Sequence, residues 1–199
     1  MAKLPTIISQ EEFEKMFSYA AEMEKKAKGK NRKQNIRSYR IAMLLGFESG
    51  LRISEIVGHK GISRKKNKTT GEIVTTPIEI LPLSKDMVEV SCIRLRNAKG
   101  RKDRVTARPK RFNINALNML PLNIKRRPLQ SFITKVSKEA IEKKIHFHTL
   151  RHGFATHYYN KTKDILGLQQ LMGHSRTDTT SIYSHINPEE TVQQVRDVF

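Results

Sequence analysis

The sequence has little of several things, and each scarcity narrows what the chain can be. Its one cysteine, Cys92, cannot form an intrachain disulfide, so a disulfide-framed scaffold is excluded and a reducing interior is expected. No apolar run approaches the ~20 residues that a membrane-spanning helix requires. The opening Met1-Ala2-Lys3-Leu4-Pro5 lacks a signal-peptide apolar region, and a soluble, intracellular protein is expected. Prolines and glycines number only 7 and 10, and no linker or low-complexity stretch divides the 199 residues. One domain, or one with a small appendage, therefore fits the length. Acid is the scarcest resource: 19 acidic residues face 38 basic ones, for a formal charge of +19. A polyanionic partner follows, because lysines and arginines that displace condensed counterions supply most nonspecific affinity for nucleic acid.

What is present reads as a mostly helical chain with a small sheet. Ser9-Gln10-Glu11-Glu12 is a capping box. Phe13, Met16, Phe17 and Ala20 follow at helical spacing to about Lys26. A basic loop is expected over 29–34, then a second helix carrying Ile36, Ile41, Leu44, Leu45 and Phe47 and stopping near Gly50. A short third helix capped by Ser54 comes next. From His59 to Thr76 the sequence is polar, basic and aperiodic, and the stretch 59–83 reads as an exposed inserted loop. Met87 to Leu95 alternates, with Val88, Val90 and Cys92 on one side. Asn97-Ala98-Lys99-Gly100 can turn it into a partner strand at 104–107. The region 113–136 is cut by Pro121 and Pro128 and has no clear period. Helices are then expected at 137–144, from a cap at Thr149 with Arg151 at the margin of its apolar face, and at 165–172 ended by Gly173. A short one at 178–185 carries Tyr183, and a last one spans 187–199.

Chemistry concentrates between His148 and Ile186. An attacked phosphodiester gains charge on its nonbridging oxygens, and fixed donors around them can be worth on the order of 100-fold or more in rate. Arg52 and Arg151 suit that task, since a planar guanidinium binds two oxygens and stays charged. His148 and His174 can add hydrogen bonds or move a proton. Tyr183 is the candidate nucleophile, provided nearby cations favour its ionised form. Lys99, at the tip of the expected hairpin, can protonate the leaving sugar oxygen, with Lys102 in reserve. No metal or other cofactor is required. Taken singly, each residue has a plainer reading: Arg52 paired with Glu55, a core tyrosine, a surface lysine. His148 and His152 could suggest zinc, but no thiol is near and the intervening residues lack the glutamate of the protease pattern.

As a set, these residues resemble the catalytic domain of tyrosine recombinases, the phage-integrase and Xer-like family. The likeness runs in order through Gly50-Leu51-Arg52-Ile53-Ser54-Glu55 and Lys99-Gly100-Arg101-Lys102-Asp103-Arg104. It continues with His148-Thr149-Leu150-Arg151-His152, then Leu171-Met172-Gly173-His174-Ser175, and ends at Tyr183. The resemblance implies an α+β fold, mostly helical with a small antiparallel sheet. It implies that Arg52, Lys99, His148, Arg151 and His174 surround the scissile phosphate while Tyr183 attacks it. A 3′-phosphotyrosyl link and a free 5′-hydroxyl result, without metal or ATP. Glu55 would brace the active-site arginine, and Arg32, Lys33, Arg101, Lys102 and Arg104 would touch DNA.

The implied partner is double-stranded DNA, bound by a homo-tetramer that is mainly monomeric without it. Three departures stand out. The family's N-terminal clamp domain is expected to be absent or removed, the 59–83 stretch is longer than usual, and Met172 replaces a common leucine. The alternatives are a recombinase-fold DNA-binding accessory protein that no longer cuts, and a type IB topoisomerase-like relaxing enzyme.

Overall fold

Ser9 starts the first helix as its sequence requires. Its hydroxyl accepts from the Glu12 N–H at 3.1 Å, and the Glu12 carboxylate accepts from the Ser9 N–H at 2.9 Å. The structure, a computed structural model, describes residues 6–67, 71–98 and 102–173. The helix, α1 (Gln10–Lys26), buries Phe13, Met16 and Ala20. It packs on α2 (Lys30–Glu48), whose buried stripe includes Ile41, Leu44, Leu45 and Phe47. The Phe13 and Phe47 rings stack with centroids 4.1 Å apart. Burying each such ring is worth about 1.5–3 kcal/mol. The basic stretch expected as a loop instead opens α2 directly after Gly29, whose φ of +87° makes the turn. Arg32 and Lys33 thus lie exposed on its first turns.

After Gly50 comes α3 (Ile53–Val57). Arg52, not Ser54, occupies its cap position, because Glu55 reaches back to accept from the Arg52 N–H at 2.7 Å. The expected loop after it is a two-stranded antiparallel hairpin, β1 (His59–Lys66) and β2 (Ile73–Ile80), paired from His59↔Ile80 to Lys66↔Ile73. It shows no amphipathic alternation because neither face is covered: Ile62, Ile73 and Val74 are all exposed, and only its base, at Ile80, enters the core. Backbone pairing, not burial, makes these strands.

A second hairpin joins β3 (Cys92–Ala98) and β4 (Lys102–Ala107). The expected alternation is present with the opposite parity. Val90 is 93% exposed, whereas Ile93 and Leu95 are buried. A one-turn 3-10 helix at Lys85–Met87 occupies the part expected to begin the strand, and Val88 keeps a single bridge to Ile93. Directly paired residues share a face, so Thr106, opposite Ile93, and Arg104, opposite Leu95, also point inward.

The region without a clear period holds α4 (Ile114–Asn118), capped by the Asn113 side chain, and α5 (Arg126–Ile141). Pro128 sits in the first turn of α5, where its missing N–H has no partner to lose. Leu129, Phe132, Ile133 and Val136 of α5 complete the main core with Phe147 and Leu150. Those two belong to α6 (Phe147–Thr162), which begins earlier than expected: His146 is the cap and Thr149 lies one turn inside. The last described helix, α7 (Ile165–Met172), is capped by Asp164 and ended by Gly173 at φ +58°. Its Leu168 and Met172 form a smaller cluster with Ala155, so methionine fills the place of the common leucine without strain on the packing. No helix among the described residues is long and apolar enough to cross a membrane.

Candidate active site

Three arginines from three parts of the fold meet around one carboxylate. Glu55, on the first turn of α3, is 1% exposed and lies between Arg52 and Arg104. Arg52 Nη1 donates to its Oε1 at 2.9 Å. Arg104 of β4 donates from Nη2 to Oε2 at 2.6 Å and from Nε to Oε1 at 3.2 Å. Burial pushes the Glu55 carboxyl up, but Arg104, then Arg52 and Arg151, outweigh that and hold it below the usual carboxylate value. The carboxylate is charged, and a single negative charge serves three guanidiniums.

Further donors go to backbone oxygens at two helix ends. Gly50, just past α2, accepts from Arg151 and, at 3.4 Å, from Arg104 Nη2. The last turn of α7 does the same: the Leu171 carbonyl accepts from Arg104, and the Met172 carbonyl from both Arg151 and Arg52. Gly173 accepts from Arg52 Nη2 at 3.3 Å. A helix C-terminus carries partial negative charge, so cations are favoured there. Gly50 is required for this geometry. Its φ is +61°, and a Cβ would stand 2.5 Å from Phe154.

The candidates named from sequence are placed unevenly. Arg52 and Arg151 come together through one shared acceptor, the Met172 carbonyl. Arg151 is not at the margin of its helix face: it is 1% exposed, one of the largest wholly buried side chains. That burial is sustainable because the Gly50 and Met172 oxygens receive its guanidinium. Glu55 accepts hydrogen bonds from Arg52 and from Arg104 as well.

Arg104 was expected on a DNA-facing surface and is instead buried in the network. Sequence reasoning missed it because a basic run beside a turn resembles a solvated one. The strand pairing opposite Leu95 is the signal that would have found it. His148 is exposed on the first turn of α6, and its ring meets His152 edge-on with centroids 4.4 Å apart. The backbone of Lys102 opens β4 opposite Ala98. Lys99, Arg101, His174 and Tyr183, with the expected helices at 178–185 and 187–199, lie outside the described residues.

Formally, the cluster holds three positive charges and one negative. A guanidinium keeps its charge under all ordinary conditions. The arrangement is therefore suited to a further anion with several oxygens, such as a phosphodiester, at the side where Arg52 is 17% exposed.

Comparison with known proteins bears on this geometry. Residues 7–190 match the family described as the Phage integrase family. The chain is 34% identical over 148 residues to the tyrosine recombinase XerC of Pelotomaculum thermopropionicum, covering 72% of this chain and 48% of that protein. It is 31% identical over 163 residues to the tyrosine recombinase XerD of Listeria monocytogenes, covering 77% and 50%. The chain thus spans about half the length of the curated relatives it matches. Among solved structures, XerH site-specific recombinase bound to difH in a post-cleavage complex aligns with a TM-score of 0.64 at 21% identity, covering 97% of this chain and 53% of that one. The catalytic domain of bacteriophage HP1 integrase aligns at 0.58 and 17% identity, covering 96% and 94%. At these identities the structural likeness shows the fold.

Proposed function

Because the chain belongs to the phage integrase family of tyrosine recombinases and has the fold of their catalytic domain, we propose that it cleaves and rejoins duplex DNA at specific sites. The observation that carries this reading is the convergence of Arg52, Arg104 and Arg151 on one carboxylate and one helix end.

In this reading Arg52 and Arg151 hold the nonbridging oxygens of the scissile phosphate, and His148 and His174 add hydrogen bonds to it. The Tyr183 oxygen attacks phosphorus, its proton passing to a neighbouring base or water. The P–O bond to the 5′ oxygen breaks as Lys99, or Lys102, protonates that oxygen. The products are a 3′-phosphotyrosyl link and a free 5′-hydroxyl. A 5′-hydroxyl from a second strand reverses the step, so phosphoester bonds are conserved and neither ATP nor a metal enters. Arg32, Lys33 and Arg101 contact the duplex, which the excess of 38 basic over 19 acidic residues favours. The working assembly is a homo-tetramer on DNA and a monomer without it.

The test is covalent trapping. The chain is incubated with nicked duplexes drawn from a pool of candidate attachment sequences, with chelator present, beside Tyr183→Phe. An adduct that survives denaturant and vanishes in the variant is the expected result. Tight DNA binding without an adduct would move the assignment to a noncutting accessory protein. Supercoil relaxation without strand exchange would favour a topoisomerase-like enzyme.

A further inference from the structure

Arg104 holds more of the site together than any other side chain in it, yet it cannot be the DNA contact its neighbours suggest. It is 7% exposed and its donors are committed to Glu55, Leu171 and Gly50. Three separate pieces meet on it. Glu55 belongs to the helix that orients Arg52. Gly50 carries the oxygen that also receives Arg151. Leu171 lies in the last turn of α7, three residues before His174 in the sequence. Gly173 closes against it from the other side, where an added Cβ would meet Arg104 Cδ at 2.7 Å. Arg104 itself stands on β4.

We infer that Arg104 is a positioning residue for strand cleavage: it clamps the Glu55 carboxylate to the end of α7, and so fixes the Arg52 and Arg151 guanidiniums relative to that helix end. The inference rests on the recombinase reading above. It differs from a packing role because every nitrogen of the fork is engaged, with Nε, Nη1 and Nη2 each bonded to a different oxygen. A lysine keeps the charge but presents one ammonium, which cannot span a carboxylate and two separate carbonyls in the fixed planar geometry of a guanidinium. Misplacement of reacting groups by about 1 Å costs on the order of 100-fold in rate.

The deciding experiment compares the wild-type chain, Arg104→Lys and the harsher Arg104→Gln on a nicked duplex the wild type cleaves. Three readouts are taken: thermal unfolding, affinity for that duplex as a function of salt, and single-turnover adduct formation at saturating DNA. Arg104→Lys is expected to fold, to bind within about 2-fold of wild type with the same salt slope, and to cleave roughly 10- to 100-fold more slowly. A wild-type cleavage rate in folded Arg104→Lys would overturn the inference. So would weaker binding with a slope reduced by about 0.9, the signature of one lost phosphate contact, if cleavage at saturation were unchanged. Absence of any wild-type adduct across the pool is a different failure: it removes the recombinase reading itself, before the variants are compared.

Discussion

Arg52 and Arg151 donate to one and the same atom, the carbonyl oxygen of Met172. Two guanidiniums that would repel each other are thereby held side by side by the end of a helix. Both also stand next to the Glu55 carboxylate. Their spacing is built into the fold, so that on the proposed reading little reorganisation would accompany the binding of a phosphate.

The two arginines nevertheless differ in what they do for the fold. Arg52→Ala is expected to yield a folded chain that binds DNA but cleaves it on the order of 100- to 1,000-fold more slowly. Its side chain is 17% exposed, and water can reach the groups it leaves. Arg151→Ala is expected to lose stability as well, because the wholly buried side chain leaves the Gly50 and Met172 oxygens short of a donor. Each orphaned group costs about 1–3 kcal/mol. Chemical denaturation of the two variants, run beside adduct assays, separates the cases.

Glu55→Gln should destabilise the chain by about 3–5 kcal/mol, since it leaves buried guanidiniums without their counter-charge. The melting temperature is expected to fall by roughly 10 °C.

The same carboxylate imposes a pH dependence. Its pKa is depressed in the folded state, so its contribution is fully present above the unfolded value of about 4.3 and is lost as pH falls through the folded value. Glu24, where burial is outweighed by bonds from Arg40 and Arg37, acts in the same direction. Melts recorded from neutral pH downward should show stability falling on the acid side, with a shallower decline in Glu55→Gln. Equal slopes in the two proteins would contradict the assignment.

The β1–β2 hairpin is predicted to be dispensable for folding. Replacing residues 60–79 by a short Gly/Ser turn removes side chains that, where described, are largely exposed, and leaves Ile80 in the core. Because loop-closure entropy changes slowly with length, roughly 0.6 kcal/mol per doubling, the melting temperature should move by only a few degrees. Loss of cooperative unfolding in the excised chain would show that the hairpin belongs to the core.

Much of this architecture is legible in the chain, for identifiable reasons. The Ser9–Glu12 box and the stop at Gly173 are local signals, and local signals act within a few residues. The β1–β2 hairpin was opaque because two exposed faces give no hydrophobic period to read. Pro128 masked α5 because a proline in a first turn and one in a helix interior look alike in sequence. The inward course of Arg104 depended on a partner strand, and its acceptors lie 49 and 67 residues away. The pairing of Arg52 with Glu55 could be named, whereas their shared helix end could not.

That helix end also sets a clock on synthesis. Arg104 leaves the ribosome 67 residues before the Leu171 carbonyl that receives it. At about 5–20 residues per second, the interval is roughly 3 to 13 seconds. Throughout it, Arg52, Glu55 and Arg104 have been made but no oxygen from α7 exists to complete their coordination. The arrangement of cations described above is therefore a late product of translation, withheld until nearly all of the described fold has been made.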